Sequence, residues 1–351
     1  MSHKPVKLIV AGCGRVVTEV HLPNLNNMQS VQVVGLVDPD RDSLDKAALL
    51  APDADVFADL EEALAKAPCD AVLIASPSGL HAPMASMALE EGRHVYLEKP
   101  VATDLEGARR LAAHPFANRV MVGFNYRFHP LVREMRKLVR TGGVGDAVCV
   151  RTLFSTPDAN APAWKRQRAQ GGGALLDLTT HDVDMIRYVT GREIITVSAL
   201  ITSRHAEGDS ALLLLECEDG MTAQCVALSG CAESAQFDVT GEKGGASFER
   251  YRSSRVKVWG RRAGGLRERV RSVVREAAAT PERMKRMRHP WNDPSFGLAL
   301  DSFVKSVKSS KPPRVTLEEG LRSLSVLLAA EESMRTGSRV PVKNFAIHQE
   351  S

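Results

Sequence analysis

Five short apolar runs punctuate the first 124 residues: VKLIVAG at 6–12, VQVVGLVD at 31–38, CDAVLIAS at 69–76, HVYLEK at 94–99 and VMVGF at 120–124. They are rich in β-branched residues and lack polar alternation, the pattern of strands buried on both faces of a parallel sheet. Helical stretches lie between them, for example GLHAPMASMALEEG at 79–92, where Gly92 is a stop signal. Repeated β–α units predict a doubly wound, parallel sheet in a first domain spanning residues 1–124.

The pattern changes after Phe124. A helix over 130–143 leads into longer strands. LLLLECEDGMTAQCVAL (212–228) reads as two strands around Asp219-Gly220, a hairpin signal, and QFDVTGEKGGASFE (236–249) as a second hairpin. Amphipathic helices around 295–309 and 316–336 close the chain. The second domain, residues 125–351, is therefore expected to be α/β with a large, open, mostly antiparallel sheet. Leu212 to Leu215 would put apolar side chains on both faces of that sheet. Helices can cover one face, so the other calls for a second subunit, and a homodimer or homotetramer is expected.

The first apolar run ends in Gly12-Cys13-Gly14, followed by Arg15, Val16 and Val17. In a dinucleotide fingerprint the first two glycines allow the tight turn and the approach of a pyrophosphate, while the third serves helix packing. Here the third position is Val17, so the two phosphate-facing glycines remain and the packing glycine does not. Asp38 ends the second run, where a carboxylate can accept both ribose hydroxyls. Strand, turn, helix, strand and acid together predict a dinucleotide site on Gly12, Gly14, Arg15, Val16 and Asp38. The carboxylate of Asp38, with Asp40 near it, would repel a 2′-phosphate, and Arg41 is the only nearby cation to offset it. NAD is favoured over NADP.

Composition narrows the class. Of 351 residues, 44% are hydrophobic and 25% charged, ordinary for a globular protein with room for two domains. Six cysteines include no CxxC pair, and they read as reduced thiols of a cytoplasmic protein. The N-terminus lacks a long apolar segment and no run approaches ~18 apolar residues, which argues against secretion and membrane spanning. The net charge of +4 is uneven: residues 250–288 hold fourteen Lys/Arg against three Glu, leaving the remainder mildly acidic. That is not the distribution of a nucleic-acid binder. Within it, 266–279 reads as an amphipathic helix; packing on its own domain is favoured over a membrane surface or a diphosphate-linked sugar.

Several motifs in order resemble the glucose–fructose oxidoreductase/inositol dehydrogenase group (Gfo/Idh/MocA). They are AGCGRVVTEVHLP with His21, ASPSGLHAPM (75–84), YLEKPVA (96–102), GFNYRF (123–128) and GGGALLDLTTHDVDMIRYVTG (171–191). The resemblance implies a Rossmann domain, a C-terminal domain whose open sheet often forms the oligomer interface, and hydride transfer between NAD(P) and a hydroxyl-bearing carbon of a sugar or cyclitol. It makes Lys99 the catalytic lysine, with Pro100, often cis in the family, fixing its turn. Asp177 and His181 match the family's acid/base pair. Ser76, Pro77, His81, Glu98 and Asn125, with Lys99, match positions lining the nicotinamide half of the cofactor site.

The chemistry of the residue types agrees. Oxidising a secondary alcohol needs a base titrating near neutral pH, for which histidine is suited, and a cation where charge develops on oxygen, as an ammonium provides. Asp177 and His181 are four apart, so one helix face presents both to a common ligand, with Asp177 orienting His181 or passing its proton on. That face continues through Asp184 and Tyr188. The glycines at 171–173 leave room for a sugar or nicotinamide. Taken alone, each motif also fits a solvated turn or a polar helix face. No second His/Cys cluster completes a metal site with Asp177, His181 and Asp184, so no metal is expected. Arg127, Trp164 and Lys165 are candidates to line a sugar, beside Lys99, Asp177 and His181. The expected function is an NAD-dependent oxidoreductase acting on a sugar, cyclitol or nucleotide-linked sugar. Two alternatives are an NAD-dependent redox glycosidase of the same fold and a noncatalytic NAD-binding regulator, for which a retained proton relay has no use.

Overall fold

The computed structural model describes residues 4–157, 162–260 and 293–343. The helix expected over 266–279 lies outside the described residues. A parallel sheet of six strands is formed by β1 (Val6–Ala11), β2 (Val31–Val37), β3 (Asp55–Phe57), β4 (Ala71–Ile74), β5 (His94–Leu97) and β6 (Val120–Val122). Its order is β3-β2-β1-β4-β5-β6, so strand order reverses beside β1. Five of these strands coincide with the apolar runs. The sixth, β3, has only one buried residue, Phe57, and no apolar run announces it. Helices α1 (Leu22–Asn26), α2 (Arg41–Ala48), α3 (Leu60–Lys66), α4 (His81–Glu90) and α5 (Leu105–Ala112) connect the strands. Asp40, Asp59 and Asp104 start α2, α3 and α5 by accepting a hydrogen bond from the backbone N–H three residues on.

After α6 (Pro130–Arg140), an eight-stranded sheet is built from β7 (Ala147–Thr156), β8 (Ile194–Thr202), β9 (Ser210–Cys217), β10 (Thr222–Ser229), β11 (Ser234–Gly241), β12 (Gly244–Glu249), β13 (Lys257–Gly260) and β14 (Val340–Pro341). All its pairings are antiparallel except β7 with β10. Both expected hairpins form: β9–β10 turns through Asp219 and Gly220, each at positive φ, and β11–β12 turns between Gly241 and Gly244. One face is covered by α7 (Thr180–Thr190) and α9 (Leu317–Thr336). The four leucines divide as expected: Leu213 and Leu215 are buried, while Leu212 and Leu214 are 37% and 62% exposed. Register extends the outer row across four strands as Leu200, Leu212, Val226 and Leu153.

The last helices return to the first sheet. α8 (Pro294–Ser309) packs on α1 and β1, and α9 touches α5 and β6, where Val122 N–H donates to Val315 C=O. The C-terminal segment therefore spans both sheets and holds them together. Among the described residues no helix is long and apolar enough to cross a membrane.

Beneath α7, where it packs on β7 and β10, lies Asp182. It is 1% exposed and its Oδ2 has no hydrogen-bond partner among the described residues. Burial pushes its carboxyl up to about 8. A group that keeps its proton when folded and loses it when unfolded makes stability fall as pH rises, here from about 4, where the unfolded group titrates, to about 8. Asp182→Asn removes that titration. Urea unfolding should find the variant more stabilised at about pH 8 than at about pH 5, by on the order of 1–3 kcal/mol. Parallel pH profiles for the two proteins would count against this account.

Candidate active site

The glycine turn sits at the carboxyl end of β1, beside the point where strand order reverses, the place where open α/β sheets receive ligands. Gly12 has φ +89°, and a Cβ there would lie 2.5 Å from Ser76 N and 2.6 Å from Ala75 C. Only glycine lets β1 and β4 approach so closely at the turn. Gly14 differs: a Cβ on it meets nothing within 4 Å. The helix beyond opens with a wide π turn, Val17–His21, in which Val17 is fully buried. The packing glycine of the fingerprint is thus replaced by a buried valine inside a wider turn. Arg15 and Val16 lead into this turn, and Arg15 pairs with Glu19.

Asp38 follows β2 and closes over the turn. Its Oδ2 accepts from Cys13 N–H at 2.7 Å and its Oδ1 from Asp40 N–H at 2.9 Å. A second lone pair on each oxygen remains for a ribose hydroxyl. Burial and the Asp38 carboxylate push the Cys13 thiol up to about 12, which leaves it inert. Asp40 caps α2, and Arg41 pairs with Asp45 on the surface. Ser76 Oγ is buried without a partner among the described residues. Open space over Gly14, an orphaned hydroxyl at Ser76 and a carboxylate at Asp38 fit a dinucleotide.

The nicotinamide-side positions are knit together by buried hydrogen bonds. His81 spans two carbonyls, Pro100 O at 2.7 Å from Nδ1 and Ser76 O at 2.9 Å from Nε2, tying the Ser76-Pro77 turn to the Lys99-Pro100 turn. The Lys99–Pro100 bond is cis. Glu98 Oε1 accepts from His21 Nε2 at 2.9 Å. Burial would raise the Glu98 carboxyl, but His21 and Lys99 hold it below its usual value. Gly123 gives that carboxylate room, since a Cβ there would stand 3.0 Å from it. Asn125 Nδ2 donates to Ser295 Oγ of α8 at 2.8 Å, joining the GFNYRF segment to the C-terminal helix.

Lys99 and Asp177 meet. Lys99 Nζ donates to Asp177 O at 2.7 Å and to Oδ1 at 2.8 Å, and Lys165 Nζ donates to Oδ2 at 2.8 Å. Burial opposes ionisation of Asp177, yet Lys165 and Lys99 outweigh it and hold the carboxyl far below its usual range. Asp177 lies in a π turn, Leu175–Thr179, that precedes α7, rather than in a regular helix. No hydrogen bond joins it to His181 among the described residues, so its carboxylate orients the two lysines instead of the imidazole. His181 stands nearby with Nδ1 unpartnered among the described residues, its ring 4.3 Å from that of Tyr126 and 6.1 Å from Phe154. Burial and Lys99 lower the His181 pKa well below its usual value. The imidazole is neutral at neutral pH.

The glycine triplet has a different use from the one expected. A Cβ on Gly172 would lie 2.3 Å from Lys165 O, and one on Gly171 would lie 2.5 Å from Ser78 Cβ. Space is left for the protein's own backbone, so that the turn Ala163–Arg166 folds back and delivers Lys165. Arg168 anchors this segment to Thr103 O and to the Glu331 carboxylate on α9. Trp164, half-buried, lies on the same turn, with the Lys165 ammonium 5.6 Å from its ring.

Arg127, expected to contact a sugar, is held elsewhere. It forks onto Asp184 at 2.6–3.0 Å and reaches Glu319 at 2.8 Å, all but buried. Asp184, on the helix stripe beyond His181, is thereby a structural counter-ion. Two residues absent from the expected set join the site. The Tyr126 ring lies against His181, tilted by 31°, and Arg250 lies 3.5 Å above that tyrosine ring, buried, with Nε and Nη1 unpartnered among the described residues. Tyr126 sits inside a recognised motif. Arg250 gives no sign of itself among the basic residues around it.

Known proteins share this fold. Residues 6–126 match GFO_IDH_MocA, an oxidoreductase family with an NAD-binding Rossmann fold. Residues 132–247 match the GFO/IDH/MocA C-terminal domain. The scyllo-inositol 2-dehydrogenase (NAD(+)) of Bacillus subtilis strain 168 is 25% identical over 352 residues, covering 97% of each chain. The scyllo-inositol dehydrogenase of Lactobacillus casei, solved with NAD(H) and scyllo-inositol, superposes with TM-score 0.76 at 25% identity over 97% of this chain and 99% of that one. The WlbA dehydrogenase of Bordetella pertussis, solved with NADH and UDP-GlcNAcA, shares the fold: TM-score 0.82 at 22% identity, over 98% and 100% of the two chains.

The two glycines of the turn should respond differently to alanine. Gly12→Ala should cost at least about 2–3 kcal/mol in urea unfolding, because strain and a clash coincide there. Gly14→Ala should fold normally and bind NAD about 10–100-fold more weakly in a fluorescence titration, since its methyl enters space a pyrophosphate must use. Unchanged NAD affinity in Gly14→Ala would remove that glycine from the phosphate site.

Proposed function

Because this chain belongs to the GFO/IDH/MocA oxidoreductases, with an NAD-binding Rossmann domain, we propose that it transfers hydride between NAD(H) and a secondary hydroxyl or ketone of a sugar, cyclitol or nucleotide-linked sugar. The observation that carries this reading is the half-buried Lys99–Asp177–Lys165 cluster beside a neutral histidine. When bound, NAD accepts the hydride that leaves the carbinol carbon.

The remaining work falls to the chain. His181, uncharged at neutral pH, takes the hydroxyl proton as the carbonyl forms. Lys99 uses two of its three N–H groups on Asp177, so one remains for the substrate oxygen, where negative charge grows. Asp177 fixes where that ammonium points. Lys165 shares the carboxylate and adds a second positive charge, which favours an oxyanion over a protonated imidazole and hastens loss of the proton from His181. Running backward, the same groups return a proton to the reduced carbonyl. Asp38 selects NAD by leaving a 2′-phosphate no favourable place.

His181→Ala should lower kcat roughly 10²–10⁴-fold, the range for loss of a general base, with NAD affinity unchanged. Lys99→Ala should be at least as damaging and Lys99→Arg should rescue little, because a planar fork cannot replace a compact ammonium. Rates of NADH formation over a panel of cyclitols, free aldoses and nucleotide sugars supply the measurement. Near-normal turnover by His181→Ala on the best substrate would refute its role as base.

The outer row of Leu200, Leu212, Val226 and Leu153 supports a second proposal, that this sheet face packs against another copy of the chain. Light scattering at micromolar concentration should give a dimer or larger species, and Leu214→Glu, next to the row, should shift it toward monomer. A monomeric wild-type protein would contradict the proposal.

A further inference from the structure

A cavity of about 910 Å³ opens between α6, the C-terminal half of α7 and the segment before α9. None of Lys99, Lys165, Asp177 or His181 lines it. Its wall carries five exposed cations from two separate parts of the chain: Arg133, Arg136, Lys137 and Arg140 from α6, and Arg314 from the approach to α9. Elsewhere such residues on an amphipathic helix are a solvated face. Here they converge with Arg314 on one concavity.

Acceptors do not match them. The carboxylates lining the cavity, Glu319 and Glu193, are already taken. Glu319 accepts from Arg127 at 2.8 Å and Arg187 at 2.9 Å, and Glu193 from Arg187 at 2.7 Å and Arg322 at 2.9 Å. This floor is neutralised within itself. Of the rim, Arg136 gives one N–H to Tyr188 O and Arg140 one to Thr190 O, which caps the end of α7. Arg133 has only the ring of Phe128, at 5.8 Å. Lys137 and Arg314 have no side-chain acceptor among the described residues. Like charges gathered in a concavity repel one another and raise the local concentration of anions. The side chains of three of the five make no hydrogen bond among the described residues.

We propose that this cavity is a binding site, separate from the dinucleotide site, for a small molecule bearing a diphosphate. A monoanion would leave most of the rim uncompensated. Adjacent phosphates offer the paired oxygens that guanidinium forks bind best. The volume falls within the range of small-ligand pockets, roughly 300–1,000 Å³, large enough for an organic group beyond the phosphates. Tyr188, stacked by the Arg136 guanidinium at 4.4 Å, provides a flat wall for such a group.

The test uses the full chain with saturating NAD, so that the cofactor's own phosphate site is filled. Inorganic pyrophosphate at millimolar concentration should raise the unfolding temperature by about 2 °C or more, whereas sulfate at equal ionic strength should not. Calorimetric titration should give one pyrophosphate per chain. Lys137→Ala/Arg314→Ala, which removes no contact of the fold, should weaken pyrophosphate at least 10-fold while leaving NAD affinity and the unfolding temperature without pyrophosphate unchanged. Lys308→Ala/Lys311→Ala, with the same loss of charge on exposed positions elsewhere, should bind like the wild type. Absence of binding by the wild type, or equal weakening in both double variants, would overturn the proposal. Neither result bears on hydride transfer.

Discussion

The carboxylate of Asp177 is the point on which the two halves of the molecule close. One oxygen receives Lys99, from the end of a strand in the parallel sheet, and the other receives Lys165, from a turn of the second domain. Drawing three charges partly out of water is costly unless each stays paired. The arrangement holds because each lysine is fixed independently, one by the Lys99-Pro100 turn that His81 holds and the other by the Arg168 anchor. The site therefore exists only when both domains are folded and docked. Its net positive charge is a property of the joint rather than of either piece.

Backbone proximity is the second constraint. Gly12 lets two strands of the first sheet touch beside the cofactor turn, and Gly172 lets the Lys165 turn lie against the start of the α7 segment. In both places the missing side chain is replaced by protein, whereas at Gly14 it is replaced by open space. Glycines that look equivalent in a motif thus divide into those that build the site and one that leaves it room.

Much of this could be read from the residues. Buried strands advertise themselves by unbroken β-branched runs, and the Asp219-Gly220 pair announces its hairpin because few residues tolerate its backbone. Lys99, Asp177 and His181 were found through ordered motifs, and the chain brings all three together. What escaped was pairing at long range. Arg127 looks like a ligand contact until Asp184 and Glu319 arrive, 57 and 192 residues further on. Lys165 could be named but its hold on Asp177 could not, because that contact depends on a glycine packing against its carbonyl. β3 was invisible, since an edge strand with one buried residue carries no apolar run. The π turns at Val17 and Leu175 break the helical periodicity on which spacing arguments rely.

The leucine run of β9 carries a cost that its burial conceals. Alternation normally stores register information, because a strand slipped by one residue would turn polar groups inward. Four identical residues store none: slipped by one, the run itself would present leucine to both faces as before, and only the flanking Ser210 and Glu216 would turn inward. Fidelity must then come from outside the run, from the left-handed pair Asp219 and Gly220 at one end and from Ser210 at the other, opposite Thr202 and Leu228. The turn is in effect the checksum of the sheet. Errors there would give a greasy strand that pairs well in the wrong place.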